Sequence, residues 1–300
     1  MPLRPIDNAL PTTSPQQRPK KQPKISLPIK NQPCLSENDQ NQAPLPSSGD
    51  ATIDYISSDN LAPISDPEHK IKSLVEELES KNWTKVCESL NDVRRFALFH
   101  SSLLFPILEK VVLVVAKTMK NPRSALCKTS IMAASDVFNA FGDKLLDLST
   151  SDAFDGMLLQ LLLKASQDKR FVCEEADKAL GSMVVSMTPL PLFQKLREYV
   201  SHANLRVRAK AAISLSKCVS KMEERLGEMD ESWLAELIRV AADLLNDRLP
   251  EARDAARSIA TSMFEALTKD KEQKLEAWQS FCQSKLTPIH AISMVKIVST

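Results

Sequence analysis

Between positions 66 and 285, apolar residues recur every three or four places, the spacing that turns one face of a helix inward. Ile71, Leu74, Val75 and Leu78 make one such stripe, and Val86, Leu90, Val93 and Ala97 make the next. Asp66-Pro67-Glu68 stands before the first: a capping side chain, a proline suited to the first helical position and an acid at the positive end of the helix dipole. Lys81-Asn82-Trp83 is the turn between the two stripes. Further pairs are expected over 102–120 with 122–145, 151–166 with 169–186, 189–201 with 205–222, and 231–245 with 248–267. Asn121-Pro122 and Asp247 read as internal caps. A sixth pair from 271 onward is less regular and is interrupted by Pro288. Every connection is short, so successive helices should be antiparallel neighbours.

The second helices can be laid over one another. An apolar residue followed four places later by a small or apolar one gives Val86/Leu90, Leu126/Ser130, Val172/Ala176, Val207/Ala211 and Ala252/Ala256, with Ser130 the poor match. The steps are 40, 46, 35 and 45 residues. A purely helical repeat of about 40–47 residues reads as a HEAT or armadillo array. The expected fold is therefore all-α: a right-handed α-solenoid of about six HEAT-type helical pairs over residues 66–300.

Composition supports this and adds an arm. Five glycines and two tyrosines in 300 residues are poor material for sheets. Eleven of the 18 prolines lie in residues 1–65, so that stretch is expected to be a disordered arm. Its first 30 residues carry six basic side chains against one acid, and Arg18, Lys20, Lys21 and Lys24 form its densest run. That run is open to three readings: a solvated linker, a tether to an acidic polymer, or a nuclear import signal. Over the whole chain 39 basic residues face 38 acidic ones, unlike the strong basic excess of a nonspecific nucleic-acid binder. Six cysteines are scattered, with no metal-ligand spacing, as in a reducing compartment. No apolar run approaches the roughly 20 residues of a membrane span, and no secretion signal core is present.

Residues at equal places in the copies should stack. Directly after the aligned residue come Cys87, Cys127, Cys173, Arg208 and Arg253, read as thiols that pack and arginines that bridge repeats. Three places before it stand Trp83, Arg123, Lys169, Asn204 and Leu249, with Arg170, Arg206 and Arg248 close by. All lie in or beside the turn inside a pair, and such turns line up along one edge of a solenoid. The edge would carry a tryptophan at one end and basic groups toward the other. Trp83 either folds onto the first pair or serves as an aromatic anchor beside an electrostatic strip; each arginine is either solvated or part of that strip.

Glu79-Ser80-Lys81-Asn82-Trp83 resembles the first repeat of a TOG domain, the tubulin-binding HEAT array of CLASP-type microtubule regulators. Arg123-Ser124-Ala125-Leu126 with Asp143-Lys144-Leu145 resembles the second repeat, Leu205-Arg206-Val207-Arg208 the fourth and Pro250-Glu251-Ala252-Arg253 the fifth. The likeness covers about residues 66–285 and is strongest to CLASP-like proteins with a single array, related to the TOG array regulators of axonemal microtubules. It implies binding to α/β-tubulin or the microtubule lattice, with Trp83 as anchor and Arg123, Lys169, Arg170, Arg206, Arg248 and Arg253 as contacts to an acidic face. It also implies a place at the cytoplasmic cytoskeleton. Cys127, Cys173 and Leu249 depart from the usual pattern.

No catalytic constellation is visible: the glycines are isolated, the four histidines are dispersed, and Ser214-Leu215-Ser216-Lys217 falls mid-helix without companions. The chain is expected to be a non-enzymatic binding module without cofactor, metal, small-molecule substrate or membrane partner. The alternative is a general HEAT/armadillo scaffold that uses its concave face.

Overall fold

In the computed structural model residues 55–147 and 150–299 are described. Asp66 caps the first helix as its chemistry requires, its carboxylate accepting from the His69 N–H at 3.1 Å. Thirteen α-helices follow among the described residues, with no strand. They are α1 (Pro67–Leu78), α2 (Trp83–Phe99), α3 (Ser101–Leu104), α4 (Leu108–Met119), α5 (Ser124–Phe141), α6 (Ser151–Ala165), α7 (Arg170–Ser186), α8 (Pro189–Arg197), α9 (Leu205–Lys221), α10 (Glu231–Leu244), α11 (Pro250–Thr268), α12 (Lys274–Lys285) and α13 (Pro288–Val298).

The helices pair as α1/α2, α4/α5, α6/α7, α8/α9, α10/α11 and α12/α13. The second helices form one layer, with α2 on α5, α5 on α7 and α9 on α11. In the other layer α4 lies on α6, and α8 meets α10 through the Phe193 and Trp233 rings, 5.1 Å apart. One apolar core runs between the layers from Leu74 to Met294. Both residues of every aligned pair are buried, from Val86 and Leu90 to Ala252 and Ala256. Ser130 fits because its hydroxyl reaches the Leu126 carbonyl and Thr118 Oγ1, both at 2.7 Å.

Two expected elements differ. The first helix of the second pair is broken, because Pro106 sits in a 3-10 turn, Phe105–Ile107, between α3 and α4. Pro288 does not interrupt the sixth pair but begins α13, where its missing N–H costs nothing. Asn121 and Asp247, expected as caps, each stand two residues ahead of the cap position: their side chains accept from the Arg123 and Leu249 N–H groups, and α5 and α11 begin at Ser124 and Pro250.

Residues 1–54, with Arg18, Lys20, Lys21 and Lys24, lie outside the described residues. Residues 55–65, grouped with the arm on composition, do pack on the array. Leu61 is buried, and the Ile56 carbonyl and Ser58 hydroxyl accept from Arg94 Nη1 and Nη2 at 2.7 and 3.2 Å. Arg94 is 1 % exposed and pairs through Nε with Asp136 of α5 at 2.7 Å, while Ser58 also donates to Asp136 at 2.7 Å. A short segment with a 3-10 turn at Ser58–Asn60 thus closes over a buried ion pair between α2 and α5.

α5 ends at Gly142, whose φ of +48° and ψ of −124° suit only glycine. A Cβ there would lie 2.7 Å from the Ser186 carbonyl oxygen at the end of α7. The next residue, Asp143, accepts from the Thr188 N–H at 2.6 Å, so consecutive inter-pair connections are pinned together. Gly142→Ala is expected to cost about 1–3 kcal/mol in backbone strain alone. A urea unfolding curve reads it, and a midpoint unchanged from the parent would refute the role given to this contact.

Candidate functional site

Four of the first five internal turns are shaped by one device. The side-chain oxygens of Asn82, Asn121, Asn204 and Asp247 accept from the backbone N–H two residues on, at 3.1, 2.9, 3.0 and 2.8 Å. In the third turn the Asp168 carboxylate is instead 2.5 Å from Arg206 Nη1 of the next repeat. The turns place the start of each second helix along one edge. Trp83 is the first residue of α2, whereas Arg123, Lys169, Asn204 and Leu249 hold the position just before their helices. The first copy is therefore displaced by one residue, which puts the indole ring in the edge itself.

Of the three tryptophans, Trp233 and Trp278 are buried and Trp83 is half-buried. The Trp83 ring rests on the core with one part while lining a groove of ≈ 360 Å³ between the first two turns. The ring folds onto the first pair and stays accessible from the groove. Arg123 is exposed, its guanidinium 5.7 Å above the centroid of that ring. Lys81, Lys117 and Lys120 line the same groove, are exposed, and have no carboxylate within ion-pair distance among the described residues. Comparing second helices alone missed them. Lys117 and Lys120 close α4, a first helix, and placing that helix end beside the following turn would have revealed them.

The other cations are placed differently. Lys169 is exposed and donates to Ser124 Oγ of the second turn at 3.3 Å. Arg170 pairs with Glu174 at 2.7 Å on the open surface. Arg206 shares itself between Asp168 and the Ser166 carbonyl. Arg248 is exposed at the fifth turn and has no charged partner among the described residues. Arg253 is half-buried, and its Nη1 donates to the Asp247 and Arg248 carbonyls at 2.8 and 3.0 Å. Its hydrogen bonds close its own turn and do not bridge repeats. Arg208 does bridge, from α9 to Asp247 at 2.8 Å. Burial alone would raise the Asp247 pKa, but the Leu249 N–H and the Arg208 guanidinium hold it below the ordinary carboxylate value. Leu249 packs on the small alanine cluster around Ala209 and Ala212.

The thiols pack as their ladder suggests. Burial pushes Cys87 up to about 11 and Cys218 and Cys282 to about 12, which leaves them protonated and inert near neutrality. Cys173 is the more open one and donates to the Ala165 carbonyl. Among the described residues no cluster of His, Cys, Asp or Glu could hold a metal, and no helix is long and apolar enough to cross a membrane.

No family model matches the chain. A mouse protein, TOG array regulator of axonemal microtubules protein 1, is 29% identical over 232 residues, 75% of this chain and 13% of its own length. The chain thus spans a small part of that relative. The TOG domain of Zyg9 from C. elegans superposes with a TM-score of 0.53 at 15% identity, covering 82% of this chain and 91% of that one. The fold is that of a TOG domain. A second solved chain, from work on TOG–tubulin binding specificity in microtubule dynamics and mitotic spindle formation, gives a TM-score of 0.54 at 14% identity, covering 80% and 90%. In this TOG-type array the turn edge, with its half-buried indole, is the surface where ring and cations meet.

Proposed function

We propose that the chain is a non-enzymatic module that binds α/β-tubulin or the microtubule lattice through its turn edge and so acts on microtubule organisation or dynamics at the cytoskeleton. The supporting observation is Trp83, half-buried in a groove with four cations that have no carboxylate partner among the described residues, on a TOG-type fold. A flat ring supplies contact area at low entropic cost. Unpaired cations steer an acidic surface toward it. Arg123 and Lys169 stand nearest to this groove; Arg248, at the fifth turn, makes no ion pair among the described residues, and Arg170 and Arg206 would have to leave their carboxylates. Residues 1–54, with their basic run, would add a salt-sensitive tether to an acidic polymer.

The test is direct. At low salt the purified chain should co-sediment with microtubules or shift free tubulin on gel filtration, and added salt should weaken either effect. If neither occurs, the proposal fails.

A further inference from the structure

Three grooves follow one another along the turn edge, and their charges differ. The first, between the first two turns, holds Lys81, Lys117, Lys120 and Arg123 against the single carboxylate of Glu79. The second, running across the third, fourth and fifth turns, sets Arg170, Arg206 and Lys210 against Asp168, Glu174 and Glu251. The third, between the fourth and fifth turns, sets Arg208 and Arg248 against Asp243 and Asp247. Among these three grooves, an excess of cations exists at the tryptophan end alone. The basic groups expected toward the opposite end do lie there, but acids face them.

We infer that the edge engages an acidic protein face at its tryptophan end, with Lys117, Lys120 and Arg123, joined by Lys169 where it reaches back to Ser124, supplying the attraction, while the later grooves, in which acids match the cations in number, add no net charge. The inference rests on the tubulin reading and narrows it to one end of the edge. Two arguments carry it. At physiological ionic strength charges are screened beyond about 8 Å, so a docking surface responds to the balance within each groove and not to the total along the array. In addition, Arg170 and Arg206 already hold carboxylates at 2.7 and 2.5 Å. Those exposed pairs are individually weak. Drawing either arginine to a new partner would nevertheless leave Glu174 or Asp168 facing that partner, so the exchange yields no net attraction. The fitting partner surface is an apolar spot, to lie on Trp83, flanked by several carboxylates.

Two triple variants of the full chain remove equal charge. One is Lys117→Gln, Lys120→Gln and Arg123→Gln; the other is Arg170→Gln, Arg206→Gln and Arg248→Gln. All six side chains are exposed, and thermal unfolding verifies that both variants fold. Binding to free tubulin is measured at two salt concentrations. The first triple should lose at least ten times more affinity than the second and should flatten the salt dependence. A smaller difference, with the parent chain binding, overturns the one-ended contact and leaves the tubulin reading standing. No binding by the parent overturns the tubulin reading, and this inference with it.

Discussion

Asp136→Ala is expected to destabilise the folded chain by about 3–5 kcal/mol, the cost of stranding a buried charge. Arg94 is 1 % exposed, and among the described residues Asp136 is the one carboxylate that its guanidinium meets. With that carboxylate gone, the Ile56 carbonyl, the Ser58 hydroxyl and the Asn91 side chain still accept from Arg94, but nothing neutralises it. Solvent can reach the guanidinium only if residues 55–61 lift away. Denaturant unfolding should show the loss, and amide exchange should show protection vanishing first around Ile56 and Ser58. Replacing both partners by leucine should cost less than Asp136→Ala alone, because the penalty is the orphaned charge and not the absent pair. A loss below about 1 kcal/mol for Asp136→Ala would mean that the pair is not sealed from water.

Trp83→Ala should weaken tubulin binding by about 2 kcal/mol or more, close to thirtyfold. The indole is the one tryptophan ring reachable from outside, and Arg123 depends on it for its perch. Because part of the ring packs on the core, the same change will also cost some stability, so thermal unfolding must accompany the binding measurement. Trp83→Phe keeps most of the packing and should recover part of the affinity. A scaffold that used its concave face would bind its partner equally well with alanine at this position. That result, in a folded variant, would remove the turn edge from consideration.

The helical pairs were legible because they rest on local rules. Asp66, read as a cap, accepts the His69 N–H, and Asn82, in the turn read between the first two stripes, accepts that of Thr84. The aligned pairs are all buried, since a stripe of period near 3.6 must face something. Arg94 and Asp136 were not legible. They lie 42 residues apart on two stripes, and no local pattern says that two charges will be buried against each other. Composition also hid Ile56, Ser58 and Leu61, because prolines on both sides made the whole segment read as arm. At the edge, the indole and the cations were found, but their balance was not. Asp168 and Glu174 neutralise arginines only once the turns are stacked, and Lys117 and Lys120 enter the groove from the neighbouring helix.

The segment that closes over Arg94 also decides where this chain can be shortened. Trimming at residue 65, the boundary drawn by proline content, would cut away Leu61 together with the oxygens of Ile56 and Ser58. The remainder would lose its lid as well as its tail, and a drop in yield or solubility would be misread as a duty of the basic stretch. A cut ahead of Tyr55 separates the two.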